Sequence, residues 1–230
     1  MSRQRLIILC LCVAAFVLLS AALIQNRIQF NRTNFQVGSV PMELVNQILP
    51  KDVPLSSMRP PAIRASDPIR FGNATSLISI IEYADYQCEG CQAMDAVIHR
   101  IARQYGGKVR VVWRDLPAES VHRQAIPAAA FARCAGLQGA YWPVHDELMQ
   151  ASSLGESTYD TIIKDLGLDR SFINACRKSD EVAAAIREDA DEARGDGIKS
   201  VPFFYVGTQA FDGAIDEDML KAAIETALGS

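Results

Sequence analysis

Leu77-Ile78-Ser79-Ile80-Ile81-Glu82-Tyr83-Ala84-Asp85-Tyr86-Gln87-Cys88-Glu89-Gly90-Cys91 is the stretch on which the fold of this chain turns. Residues 77–84 are nearly continuous in apolar side chains and rich in isoleucine, the pattern of a short buried strand. Asp85-Tyr86-Gln87 ends that run in a turn and delivers the chain to a C-x-x-C. Beyond it Met94, Val97, Ile98, Ile101, Ala102 and Tyr105 recur at steps of three and four, one face of a helix, and Gly106-Gly107 supplies its stop. Residues 109–113 then restore an apolar strand. Strand, helix and strand in this order predict a right-handed crossover with two parallel strands in one sheet.

Working outward, residues 120–194 carry only helical signals. Pro127 suits the first turn of one helix, Gly167 the end of another, and Ser179 with Asp180 and Glu181 the start of a third. Residues 202–206 read as a strand, 207–209 as a turn and 210–211 as a short return strand, with Asp216 capping a last helix. The expectation is an α/β fold, βαβ then ββα, with a helical insertion at about 120–195.

On the N-terminal side, Arg3 and Arg5 precede residues 6–24, an uncharged run broken only by Ser20 and long enough to cross a bilayer as a helix. A signal anchor over residues 1–25 is favoured over a cleaved signal peptide, because the run exceeds a usual signal-peptide core. The positive-inside rule then puts the rest of the chain on the extracytoplasmic, periplasmic side, or secretes it if cleavage occurs. Cys10 and Cys12 lie inside this run and read as small hydrophobes. Six of the ten prolines fall in residues 26–70, which read as a tether before a folded unit at 71–230.

Composition narrows the function. Hydrophobic residues make up 49% and charged ones 22% of the 230, the usage of a globular protein. The charge is uneven, with eight basic and three acidic residues before Phe71, then fifteen and twenty-four. An acidic folding unit argues against nucleic-acid binding.

Chemistry concentrates at Cys88 and Cys91. Free backbone N–H groups and the dipole at a helix N-terminus stabilise a thiolate, so Cys88 reads as the nucleophile and Cys91, one turn in, as the resolving thiol. Half of a zinc site is the other reading, with His99, His122 and His145 as further donors. Structural zinc takes four ligands, and no second C-x-x-C is present. No metal and no cofactor are expected.

The chain resembles the DsbA-like thiol-disulfide oxidoreductases of the thioredoxin superfamily. The likeness runs from about residue 67 to 228 and rests on Asp67-Pro68, Gly72-Asn73, Glu82-Tyr83-Ala84-Asp85 leading into CEGC, Ala132-Arg133-Cys134-Ala135, Gln138-Gly139, Trp142, His145-Asp146 and Gly197-Ile198-Lys199-Ser200-Val201-Pro202-Phe203-Phe204. It implies a thioredoxin fold interrupted by a helical domain. Val201-Pro202 matches the cis-proline loop that faces the cysteines and holds an extended substrate. Glu82 matches a buried acid that relays protons to the second cysteine, the alternative being an outward-facing Glu on an edge strand. Cys134 and Cys176 match positions that often pair in the helical domain, the alternative being two buried thiols. Trp142 and His145 read as core and surface features of the helical block, and His122 is left without a role.

Strongly oxidising relatives carry Pro-His where this chain has Glu89-Gly90. A carboxylate beside Cys88 disfavours the thiolate, so Glu89 is expected to make the disulfide less oxidising and to favour a weak oxidant, a reductase or an isomerase. The partners implied are exported cysteine-containing proteins and a membrane redox partner, either a quinone-linked oxidase or a thiol donor. A peptide-binding module with a structural cysteine pair is the non-enzymatic alternative.

Overall fold

The computed structural model describes residues 54–229. Its sheet has five strands, β1 (Ile69–Arg70), β2 (Ile78–Ala84), β3 (Val109–Asp115), β4 (Phe203–Val206) and β5 (Gln209–Asp212), in the order β1-β3-β2-β4-β5. β2 and β3 run parallel in the register Ile78 to Val109 through Ala84 to Asp115, and every other pairing is antiparallel. The parallel pair is joined over the sheet by α1 (Glu89–Gln104), whose stop uses Gly106 and Gly107, both at positive φ.

Between β3 and β4 lie α2 (Ala125–Gly136), α3 (Tyr141–Gln150), α4 (Glu156–Asp165), α5 (Arg170–Cys176) and α6 (Asp180–Gly195), and α7 (Glu217–Leu228) closes the fold. Side-chain caps start three of these helices: Asp169 accepts from Phe172 N, Ser179 from Val182 N and Asp216 from Met219 N. The architecture is thioredoxin-like, a mixed sheet with a helical insertion.

β2 is the central strand, which is why its side chains are apolar on both faces. Ile78 and Ile80 pack with Met94, Ile98 and Ile224 under α1 and α7. Ile81 and Tyr83 turn to the opposite face with Val112, Tyr205 and Ile198. A third cluster fills the helical block with Phe131, Val144, Leu148 and Tyr159, and reaches Cys88, Cys91 and Trp113 at the end of the sheet.

The tether expected over residues 26–70 ends earlier than read. Residues 54–70 belong to the folded unit, and residues 26–53 lie outside the described ones. Met58 is buried against the sheet, and Ile69 and Arg70 pair with Val112 and Val111. Prolines made this segment look like a linker, but an extended chain needs no periodicity to pack. Charges hold it as well. Buried Arg114 of β3 meets Asp67 at 2.6 Å and also Glu192 of α6, while Asp189 of α6 binds Arg64 and Arg133 and accepts from Asp115 N at 2.9 Å. These ion pairs fasten the leading segment and the helical block to the sheet.

Cys134 of α2 and Cys176 of α5 form a disulfide with Cα atoms 5.8 Å apart. Among the described residues no helix is long and apolar enough to cross a membrane, and residues 6–24 lie outside them.

Candidate active site

Cys88 is the N-cap of α1 and Cys91 lies one turn inside it. The two are disulfide-bonded, with Cα atoms 5.1 Å apart. Cys88 is 8% exposed and Cys91 fully buried, so the first cysteine is the nearer of the two to solvent. Cys91 N–H donates to Cys88 Sγ at 3.1 Å, so one of the free donors of the helix start is spent on that sulfur. A strand that ends in a capped helix places this atom, and the sequence encodes it within a few residues.

Val201-Pro202 stands across from the pair in the cis form, with Val201 O 4.0 Å from Cys88 Sγ. A methyl group placed on Gly90 would touch Pro202 Cδ at 3.6 Å, so the dipeptide between the cysteines faces this loop. Glu89 points outward, exposed in the first turn of α1.

Asp85, which sequence reasoning passed over as a turn residue, builds the approach to Cys88. Its Oδ1 accepts from Gln87 N (2.7 Å), its Oδ2 accepts from Ala118 N (2.9 Å) and lies 2.8 Å from His122 Nδ1, and its carbonyl accepts from Cys88 N (3.1 Å). The Asx-turn pattern of Asp85-Tyr86-Gln87 was the available signal. His122 is thereby brought to the rim of the site.

Glu82 sits on the central strand between Trp113 and Phe204, fully buried, and neither carboxylate oxygen has a hydrogen-bond partner. Burial, together with the charge of Asp95, holds its carboxyl well above the usual range. An edge position facing solvent is excluded.

His145 corrects the reading of it as a surface feature: it is fully buried. Its Nε2 lies 3.0 Å from Asp95 Oδ1 on α1 and its Nδ1 3.1 Å from Tyr86 Oη, with Trp113 packed edge-on at 4.6 Å. Burial raises the cost of charging Asp95, but the hydrogen bond and charge of His145, followed by the charges of His99 and Arg70, outweigh it and hold Asp95 below its ordinary value. His99 faces the same Asp95 oxygen at 3.3 Å, and burial pushes it down to about 4. Trp142 is half-buried and donates to Ile69 O at 2.9 Å.

The zinc reading finds no support in this arrangement. The cysteines bond each other, His122 turns to Asp85, and His99 and His145 turn to Asp95. Asp95, His99 and His145 do have the spacing of metal donors. Arg70 Nη1, however, lies 3.2 Å from His99 Nδ1. Arginine can only donate, so Nδ1 accepts and the proton of neutral His99 sits on Nε2, the atom a cation would need.

A C-x-x-C at the start of the helix after the central strand, facing a cis-proline loop, defines a thioredoxin-type site. The family model described as Thioredoxin matches residues 64–226, and the chain belongs to that family. Its fold is that of the DsbA-like thiol-disulfide oxidoreductases. It is similar to a thioredoxin-like oxidoreductase from Silicibacter pomeroyi, at 26% identity with a TM-score of 0.66, covering 73% of this chain and 95% of that one. Fold similarity extends to the thiol-disulfide exchange protein α-DsbA2 of Wolbachia pipientis (23% identity, TM-score 0.63, 70% and 87% covered) and to DsbA2 of Pseudomonas aeruginosa (24%, 0.59, 72% and 96%). It is also 31% identical over 157 residues to the Na(+)/H(+) antiporter NhaA 1 of Salinispora arenicola, matching 65% of this chain and 23% of that protein. The chain thus spans about a quarter of the length of that relative.

Proposed function

We propose that this protein is an extracytoplasmic thiol-disulfide oxidoreductase that exchanges disulfides with exported cysteine-containing proteins. The observation that carries the reading is Cys88, the less buried cysteine of the pair, capping a helix N-terminus with a backbone N–H on its sulfur and the cis Val201-Pro202 loop opposite. Cys88 attacks and Cys91 resolves. Attack by a substrate thiolate on Cys88 forms a mixed disulfide, and the electron pair of the broken bond passes to Cys91. Glu82 protonates Cys91 as it leaves, and the Val201 backbone pairs with the extended substrate. Glu89 destabilises the Cys88 thiolate and so weakens the oxidant, which favours the reductase or isomerase direction.

Residues 6–24 anchor the chain in the membrane, where a quinone-linked oxidase or a thiol donor renews the cysteines. The apolar run and its basic flank support this placement. Antiport, named for the much longer relatives, is not part of this reading.

The test is trapping in cells. Cys91→Ser, which lacks the resolving thiol, accumulates mixed disulfides with exported proteins, and Cys88→Ser does not. Unchanged peptide binding by Cys88→Ser, with no disulfide turnover by the parent, would instead establish a binding module.

A further inference from the structure

The turn that leads into Cys88 carries a charge of its own. Asp85 has a fully buried side chain, and its backbone carbonyl accepts from Cys88 N at 3.1 Å, so whatever fixes Asp85 also fixes the start of α1. A buried carboxylate is costly unless donors meet it, and here three do. Gln87 N donates to Oδ1 at 2.7 Å, while Ala118 N at 2.9 Å and His122 Nδ1 at 2.8 Å meet Oδ2.

Two of those donors come from residues 116–124, which join β3 to α2. That loop is fastened to the same turn at its two ends, Leu116 N donating to Ala84 O at 2.9 Å and Gln124 N to Gln87 Oε1 at 2.7 Å. Within it His122 N donates to Ala118 O at 2.9 Å, so the imidazole is delivered to Asp85 from a stretch held on both sides. A carboxylate only accepts, so Nδ1 carries a proton in either charge state of the ring. The charged residues that flank His122 in the loop, Glu119 and Arg123, are exposed, whereas the His122 side chain is only 24% exposed against the fully buried Asp85. His122 and the backbone of Cys88 are therefore bound to the same residue.

We propose that His122 is a positioning residue for Cys88 that acts through Asp85: its Nδ1–H covers the buried carboxylate and holds the turn, so that the Cys88 thiolate forms beside an offset charge. The proposal rests on the redox reading of Cys88 and Cys91. In the reduced enzyme the negative charge sits on Cys88 Sγ. On attack at a substrate disulfide that sulfur bonds one substrate sulfur, and the other leaves with the electron pair of the broken bond and takes a proton from water. An Asp85 without its imidazole donor repels the Cys88 thiolate and so holds the cysteine pair in the disulfide form.

The experiment uses the full chain carrying Cys91→Ser. It compares His122→Leu, which removes the donor, with His122→Asn, whose side-chain N–H stands in for Nδ1–H, each with and without Asp85→Asn. Cys88 is titrated through the pH dependence of its alkylation, followed by peptide mass, and a urea midpoint is taken for every variant. In His122→Leu the Cys88 midpoint is expected to rise by about half a pH unit or more, with His122→Asn recovering most of the shift. In the Asp85→Asn background neither substitution is expected to move it, because the charge through which they act is gone. Should Asp85→Asn fail to fold, the contrast between Leu and Asn at the His122 position carries the test. A lower urea midpoint with an unmoved Cys88 midpoint overturns the proposal and leaves His122 a structural role alone. An equal rise with and without the Asp85 charge overturns the path through Asp85. A parent with both cysteines that exchanges no disulfides overturns the redox reading and the proposal with it.

Discussion

The charge at Glu89 gives the sharpest test of how the site is tuned. Glu89 is exposed in the first turn of α1, next to the sulfur that caps the helix. Across roughly 7 Å of mostly aqueous path, at an effective dielectric of about 40 to 80, one unit charge moves a pKa by about half a unit. The thiolate is the charged form of Cys88, so removing a negative neighbour lowers its pKa. Glu89→Gln is expected to lower it by about half a unit and Glu89→Lys by about one. The assay is the pH dependence of carbamidomethylation at Cys88 in a Cys91→Ser background, read peptide by peptide so that other thiols do not interfere. Salt should shrink the differences, because an exposed pair is screened beyond about 8 Å at physiological ionic strength. The same substitutions should make the paired disulfide more oxidising, since a stabilised thiolate favours the reduced enzyme. A Cys88 pKa unchanged or raised in Glu89→Lys would refute the argument, leaving the dipeptide without electrostatic control of this sulfur.

Two further outcomes follow from burial and chain connectivity. Replacing Cys134 and Cys176 together by Ala opens a loop with a sequence separation of 42. The chain-entropy model puts the cost at about 4 kcal/mol, to be read as a lower urea midpoint, and equal midpoints for variant and parent would contradict it. Glu82→Gln tests the buried acid through pH. The folded-state pKa of Glu82 is raised, so between its unfolded and folded values the native state binds more protons, and stability falls as pH rises. The variant should therefore gain stability relative to the parent from pH 4 to pH 8, and parallel stability curves over that range would count against a buried, neutral Glu82.

Much of the site was legible because it is local. A strand, a turn, a cysteine that caps a helix and a second cysteine one turn on are set by about fifteen contiguous residues, and their periodicities switch at identifiable points. The caps at Ser179 and Asp216, and the stop at Gly106-Gly107, read correctly for the same reason: each is a short-range hydrogen bond or dihedral requirement. The roles expected of Pro202 and Glu82 came through resemblance, because no spacing rule connects either to Cys91.

What escaped was long-range. His145 looked like a surface residue of a helix, and only packing across a sequence separation of 50 turns it onto Asp95. Asp95 itself sits at an ordinary helical position, and its partner His145 reaches it from α3. Residues 54–70 looked like tether because extended segments carry no period, yet strand pairing at Ile69 and Arg70 and the ion pairs of Arg64 and Asp67 bind them to the sheet. The sequence by itself determined the order of elements and the place of the cysteine pair at a helix start, since both depend on neighbours within a turn or a strand. The tertiary structure alone decided which buried charges face one another, because those contacts arise only once the helical block closes on the sheet.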